Sequence, residues 1–181
     1  MKNRNLILTS LFTSLIIIGT FIKIPLPVCP ITLQPLFVCL SGLFLGSLHG
    51  AASVICYIAL GLLGLPVFAM GGGFGCILNP TFGFIIGFVL QSLVTGLIVR
   101  KGSPTIGRML AGCFSGLVIM YAVGLVYFMF ISRFYLGKLD IQTMLVSCLL
   151  IPFPKDAAMC VFAAFLGRKF LKSFNSFIIQ K

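Results

Sequence analysis

Long apolar runs, punctuated by short clusters of Gly, Pro and basic residues, set the pattern of this chain. The runs predict six membrane spans: Leu6–Ile22, Ile31–Leu48, Ala51–Pro66, Phe82–Val99, Met109–Ser132 and Met144–Leu166. Each approaches the roughly 20 apolar residues that carry a helix across a bilayer. Three segments break the helical pattern, and all fall on one predicted face. Pro25–Pro30 holds three prolines and cannot be helix. Pro66–Pro80 carries Gly71-Gly72-Gly73-Phe74-Gly75, and Arg133–Asp156 ends in Pro152-Phe153-Pro154-Lys155-Asp156. On the opposite face, Ser47–Gly50 reads as a short, tight turn. Irregular backbone at membrane depth is tolerated where it is buried in protein or lines a cavity. The expected fold is therefore all-α and integral to the membrane: one six-helix domain, 1–181, with an outward-facing cavity covered by loops.

Composition sharpens this picture. Of 181 residues, 60% are hydrophobic and 8% charged, with a mean hydropathy of +1.20. A soluble domain carries roughly 25% charged residues, so a water-soluble globule is excluded. The net charge of +11 sits at the ends of the apolar runs, not on a polar face. With the N-terminus inside, Lys2, Arg4, Arg100, Lys101, Arg108, Arg168, Lys169, Lys172 and Lys181 collect on the cytoplasmic side. Lys23, Arg133, Lys138 and Lys155 collect outside. The excess follows the positive-inside rule and predicts a multi-pass cell-membrane protein with both termini cytoplasmic. It speaks against nucleic acid. No small-residue cleavage site follows the first apolar run, which reads as a span and not as a signal peptide.

Candidate chemistry is sparse. The pair Gly137-Lys138 lacks the rest of a phosphate-binding loop, and Gly71–Gly75 does not satisfy the dinucleotide-binding pattern. His49, the single histidine, lies on the cytoplasmic side, away from any serine suited to an intramembrane hydrolase. One His and two acids offer no metal cluster. Among seven cysteines, Cys39, Cys56, Cys113, Cys148 and Cys160 read as small hydrophobes within spans, whereas Cys29 and Cys76 fall in outer loops where they could pair. Covalent catalysis is not expected; binding is. Polar side chains near the outer ends of spans are Thr32, Gln34, Asn79, Thr81, Lys155 and Asp156, while Gln91 reads as a deeper interhelical hydrogen bond. An ionisable group at membrane depth is a functional hypothesis by default. Asp156 also reads as a first-turn residue favoured by the helix dipole. Small residues recur at four-residue spacing in Ser10/Ser14, Gly42/Gly46/Gly50, Gly83/Gly87 and Gly112/Gly116. This spacing predicts close helix packing within the monomer. Ser10/Ser14, with Thr9 and Thr13 beside them, could instead dock a partner helix.

Pro30-Ile31-Thr32-Leu33-Gln34 and Ser41-Gly42-Leu43-Phe44-Leu45-Gly46 resemble the opening of the BioY family. Gly61–Ala69, Asn79-Pro80-Thr81-Phe82-Gly83-Phe84 with Gly87-Phe88, Tyr121…Gly124…Tyr127, and Pro152–Asp156 are similar to its later motifs, in the same order. The resemblance implies the substrate-binding (S) component of an energy-coupling-factor (ECF) transporter. Biotin is then a transported ligand and not a cofactor, and loops 1, 3 and 5 close over it. It also implies a transmembrane coupling protein (T component) and two ABC-type ATPases as partners, with the Ser10/Ser14 face meeting the coupling protein. The ligand site it suggests draws on Gln34, Phe68, Gly71, Gly72, Gly73, Asn79, Thr81, Phe84, Tyr121, Lys155 and Asp156. The family often places Lys three residues after the acid; here that position is Met159, with Lys155 as the nearby cation. Asn79 stands where Gly is common, and Phe84 where Tyr is common. These departures keep a subunit for another small vitamin as the alternative. A membrane interaction protein that binds no solute is the alternative of a different class.

Overall fold

A computed structural model describes residues 2–26, 29–102, 105–135 and 141–179, with side chains left aside at residues 2, 141, 143 and 171–179. Pro27, Gly137-Lys138, Asp140 and Lys181 lie outside the described residues. The helices are α1 (Lys2–Phe21), α2 (Gln34–Leu45), α3 (Ser47–Leu62), α4 (Phe82–Arg100), α5 (Ile106–Phe134), α6 (Ile141–Leu145) and α7 (Phe153–Ile179). A π-helical turn, Val146–Leu150, joins α6 to α7. Four stretches are long and apolar enough to cross a membrane: Asn3–Phe21, Phe82–Arg100, Ile106–Phe134 and Val146–Phe170. With the shorter α2 and α3 they fill the six predicted positions.

Boundaries differ where local chemistry overrides apolar periodicity. The span expected at Ile31–Leu48 contracts to α2. Ile31-Thr32 instead pairs antiparallel with Lys23-Ile24, a two-residue ladder that gives the proline-rich first loop its backbone partners. The turn between α2 and α3 falls at Gly46 and not at Ser47–Gly50, which opens α3. Gly46 has φ +82°, and a Cβ there would strike the Arg100 guanidinium. That side chain donates Nη2 to the Leu45 carbonyl at 2.8 Å, satisfying the C-terminal end of α2. Arg133–Asp156 was expected to be irregular; its described part from Ile141 onward is largely helical, through α6, the π turn and the start of α7.

The interior is held by backbone approach. Between apolar helices in lipid there is little hydrophobic driving force, so small residues that admit close contact carry the packing. A Cβ at Gly42 would lie 2.5 Å from the Ser92 carbonyl, one at Gly87 2.8 Å from that of Met120, and one at Gly116 2.7 Å from that of Gln91. Ser41 and Ser92 hydroxyls meet at 2.8 Å between α2 and α4. The four-residue spacings therefore serve packing within the monomer. Ser10 and Ser14 are the exception: both are exposed on α1. Thr9 and Thr13 do not share that face; they turn inward, and Thr13 donates to the Ser53 carbonyl of α3 at 2.9 Å.

Candidate functional site: a polar cavity at one end of the bundle

A cavity of about 750 Å³, its mouth included, opens where loop 1 (residues 22–33), loop 3 (residues 63–81) and the start of α7 meet. Eight of the predicted residues line it: Gln34, Phe68, Asn79, Thr81, Phe84, Tyr121, Lys155 and Asp156. Gly71, Gly72 and Gly73 do not. Their φ angles and backbone bonds explain why. Gly71 and Phe68 exchange N–H···O bonds at 2.9 and 3.0 Å, and Gly73 N–H donates to the Gly61 carbonyl at 2.7 Å. Gly72 packs so closely on the Leu65 carbonyl that no Cβ fits. The run shapes a turn, and two of its three amides are taken, one within the loop and one by the end of α3.

Asp156, only 3% exposed, enters at the first turn of α7. Its Oδ2 accepts the Tyr121 hydroxyl at 2.6 Å, and its Oδ1 lies 2.5 Å from Lys155 Nζ. The second contact is a close ion pair, and since a carboxylate oxygen can accept more than one donor, Oδ1 retains capacity toward the cavity. Adjacent helical residues project about 100° apart. Lys155 overcomes this through its long stem, which bends back to reach both Asp156 and the Thr32 carbonyl, the latter at 2.6 Å. Met159 does not line the cavity. Phe84 and Phe153 pack against the Tyr121 ring at centroid distances of 6.0 and 5.9 Å, holding its hydroxyl on the acid.

The neutral groups are more internally engaged. Asn79 Oδ1 accepts from Thr81 N–H at 3.0 Å and Thr81 Oγ1 at 2.8 Å, which leaves the Nδ2 donor for the cavity. Gln34 lines the wall, yet its amide is held at both ends: Nε2 donates to Tyr57 Oη at 2.6 Å, and Oε1 accepts from Thr32 Oγ1 at 3.1 Å. Gln91 is fully buried below and donates to Cys39 Sγ at 3.2 Å, an interhelical contact as expected.

Cys29 and Cys76 both line the cavity as free thiols. The sulfur partner of Cys29 is Cys148, whose hydrogen bond is the main cause holding the Cys29 thiol below its ordinary pKa; Lys155 adds to this, against burial and Asp156. Cys56 is exposed, unlike the other four cysteines read as buried. Sequence reasoning placed Cys29 in an outer loop but missed Tyr57 and Cys148 as parts of this end of the bundle. Tyr57 carried a usable signal, since a tyrosine within an apolar span must find a partner for its hydroxyl.

The BioY family model matches residues 1–176. A protein of Lysinibacillus sphaericus named probable biotin transporter BioY is 47% identical over 124 residues, covering 68% of this chain and 63% of that protein. The match thus spans less than two thirds of that relative. The biotin transporter BioY of Rhodobacter capsulatus is 38% identical over 174 residues, covering 91% of this chain and 92% of its own. Among solved structures, the S-component for biotin from an ECF-type ABC transporter aligns with a TM-score of 0.80 and 28% identity, covering 94% of this chain and 92% of that one. Motif order, helix arrangement and family match agree: this chain is a member of the BioY family of multi-pass membrane proteins.

Proposed function

We propose that this chain is the biotin-binding S component of an ECF-type vitamin uptake transporter. The observation that carries the reading is a buried carboxylate, Asp156, presented to an open cavity in a BioY-family fold. A ureido ring offers two N–H donors and one carbonyl acceptor. Asp156 Oδ1 accepts, and the Asn79 Nδ2 group donates. Phe68, Phe84 and Tyr121 give apolar surface to the fused rings, and Thr81 and Lys155 lie on the wall for the remaining polar end.

Biotin enters from outside in this reading, loops 1, 3 and 5 close over it, and both termini face the cytoplasm. The single domain 1–181 binds and releases. Work is done by a separate coupling protein and two ABC-type ATPases, with Ser10 and Ser14 on α1 as the docking face; the chain itself catalyses no covalent reaction. The test is calorimetric titration of biotin into detergent-purified protein, with lipoate, thiamine and riboflavin as controls. Saturable binding of biotin alone is expected. Binding of another vitamin in its place moves the chain to a different ligand, a reading favoured by Asn79 and Met159. Binding of none favours a membrane protein that takes no solute.

A further inference from the structure

Tyr57 sits on α3, fully buried, and is not part of the cavity wall. Its hydroxyl is nonetheless the meeting point of two of the wall's three segments. It accepts from Gln34 Nε2 at 2.6 Å and donates to the Val67 carbonyl of loop 3 at 3.3 Å, with Thr20 Oγ1 at 3.4 Å completing its surroundings. The Phe68 ring stands edge-on to it at a centroid distance of 5.3 Å. From Gln34 the connection continues through Thr32 Oγ1 in loop 1, while the Thr32 carbonyl receives Lys155 Nζ, itself paired with Asp156.

Lys155 donates to the Thr32 backbone carbonyl. From the Thr32 hydroxyl the side-chain links then run one way, to Gln34 Oε1, from Gln34 Nε2 to Tyr57 Oη, and from Tyr57 Oη to the Val67 carbonyl. Buried polar groups left unpaired are penalised, and chained hydrogen bonds strengthen one another. A change at one link is therefore felt at the next. Among the described residues, Lys23 Nζ on the Ala69 carbonyl, at 2.6 Å, is a further, exposed tie between loop 1 and loop 3.

We infer that Tyr57 is a positioning residue for the ligand site: through Gln34 and Val67 its hydroxyl makes the loop-1 and loop-3 walls move as one body with Lys155 and Asp156. The inference rests on the cavity being the ligand site. It assigns Tyr57 to the retention of ligand, since breaking the tie loosens the closed wall and leaves the contacts of Asp156 in place.

Tyr57→Phe removes one oxygen and keeps the ring. In this variant biotin is expected to dissociate about tenfold faster, the effect of losing a buried hydrogen bond, with the association rate within about twofold of the parent. Gln34→Met breaks the same link from the other side, and the double variant is expected to be no faster than either single one. A merely structural role predicts instead an unaltered dissociation rate, or two effects that multiply; either result overturns the inference. Amide exchange on the ligand-free protein supplies a readout that needs neither biotin nor a stable Tyr57→Phe. Lys155→Met is expected to speed exchange at Val67 and Phe68, and unchanged exchange there overturns the relay. Failure of the parent to bind biotin, with the exchange coupling intact, would count against the ligand and not against Tyr57.

Discussion

The two walls of the cavity are built on different terms. On the helical wall, α5 and α7 bring a charged group with capacity to spare: Asp156 is paired with Lys155 and takes the Tyr121 hydroxyl, yet a carboxylate can accept further donors. On the loop wall, the polar groups are more fully engaged. The Gly71 amide bonds within loop 3 and that of Gly73 to α3, and Asn79 Oδ1 accepts twice from Thr81, which leaves its Nδ2 group. In the proposed function, discrimination by charge and hydrogen bonding rests on the helical wall, and shape and closure on the loops. A rigid helix can hold a buried carboxylate in place because the i→i−4 ladder supports its backbone. A loop cannot carry the same burden, since its backbone must first satisfy itself.

Asp156→Asn tests this division most severely. It removes a charged acceptor worth about 1.5–3 kcal/mol, so biotin affinity should fall by roughly ten- to a hundred-fold in a calorimetric titration. An unaltered affinity would reduce Asp156 to a helix-start residue and move recognition to the loops. Tyr121→Phe keeps the ring against Phe84 and Phe153 while freeing Asp156 Oδ2, and about a tenfold loss is expected. Asn79→Ala removes a neutral donor worth about 0.5–1.5 kcal/mol, so a loss of about two- to tenfold should follow; a larger one would place the stronger contact on the loop wall. Cys148→Ala should slow maleimide labelling of Cys29 several-fold at pH 7. The Cys148 hydrogen bond lowers the Cys29 pKa, so its removal leaves less thiolate at any pH below the thiol range. Ser10→Leu combined with Ser14→Leu should leave biotin affinity within about twofold of the parent, while co-purification with the coupling protein is lost.

Much of the helical wall was legible in the sequence. Asp156 announced itself as an acid in an apolar chain, and the prolines around it marked a helix start. The small-residue spacings likewise named the packing contacts. The loop wall was less legible because its chemistry depends on which backbone groups meet. Nothing in Gly71-Gly72-Gly73 says that Gly61 and Phe68 will take two of the amides. Apolar periodicity also overextended α2 at both ends, since Ile31 suits the β-ladder with Ile24 as well as a helix. Tyr57 escaped notice because it touches no ligand surface; its role appears only when Gln34, Thr32 and Val67 are brought around it.

One dimension of α2 bears on the lipid. Its 12 residues rise roughly 18 Å, well short of a hydrocarbon layer of about 30 Å. Such mismatch would ordinarily force the bilayer to thin or the helix to oligomerise. Here its residues are mostly buried, with Leu36 and Phe37 partly exposed, so α2 presents little surface to acyl chains. Bilayer thickness is felt chiefly by the helices with exposed apolar side chains, α1, α3, α4, α5 and α7. The helix that contributes Gln34 to the cavity wall is thereby largely sheltered from the lipid, while α4, α5 and α7, which bring Phe84, Tyr121 and Asp156 to the same wall, meet it directly.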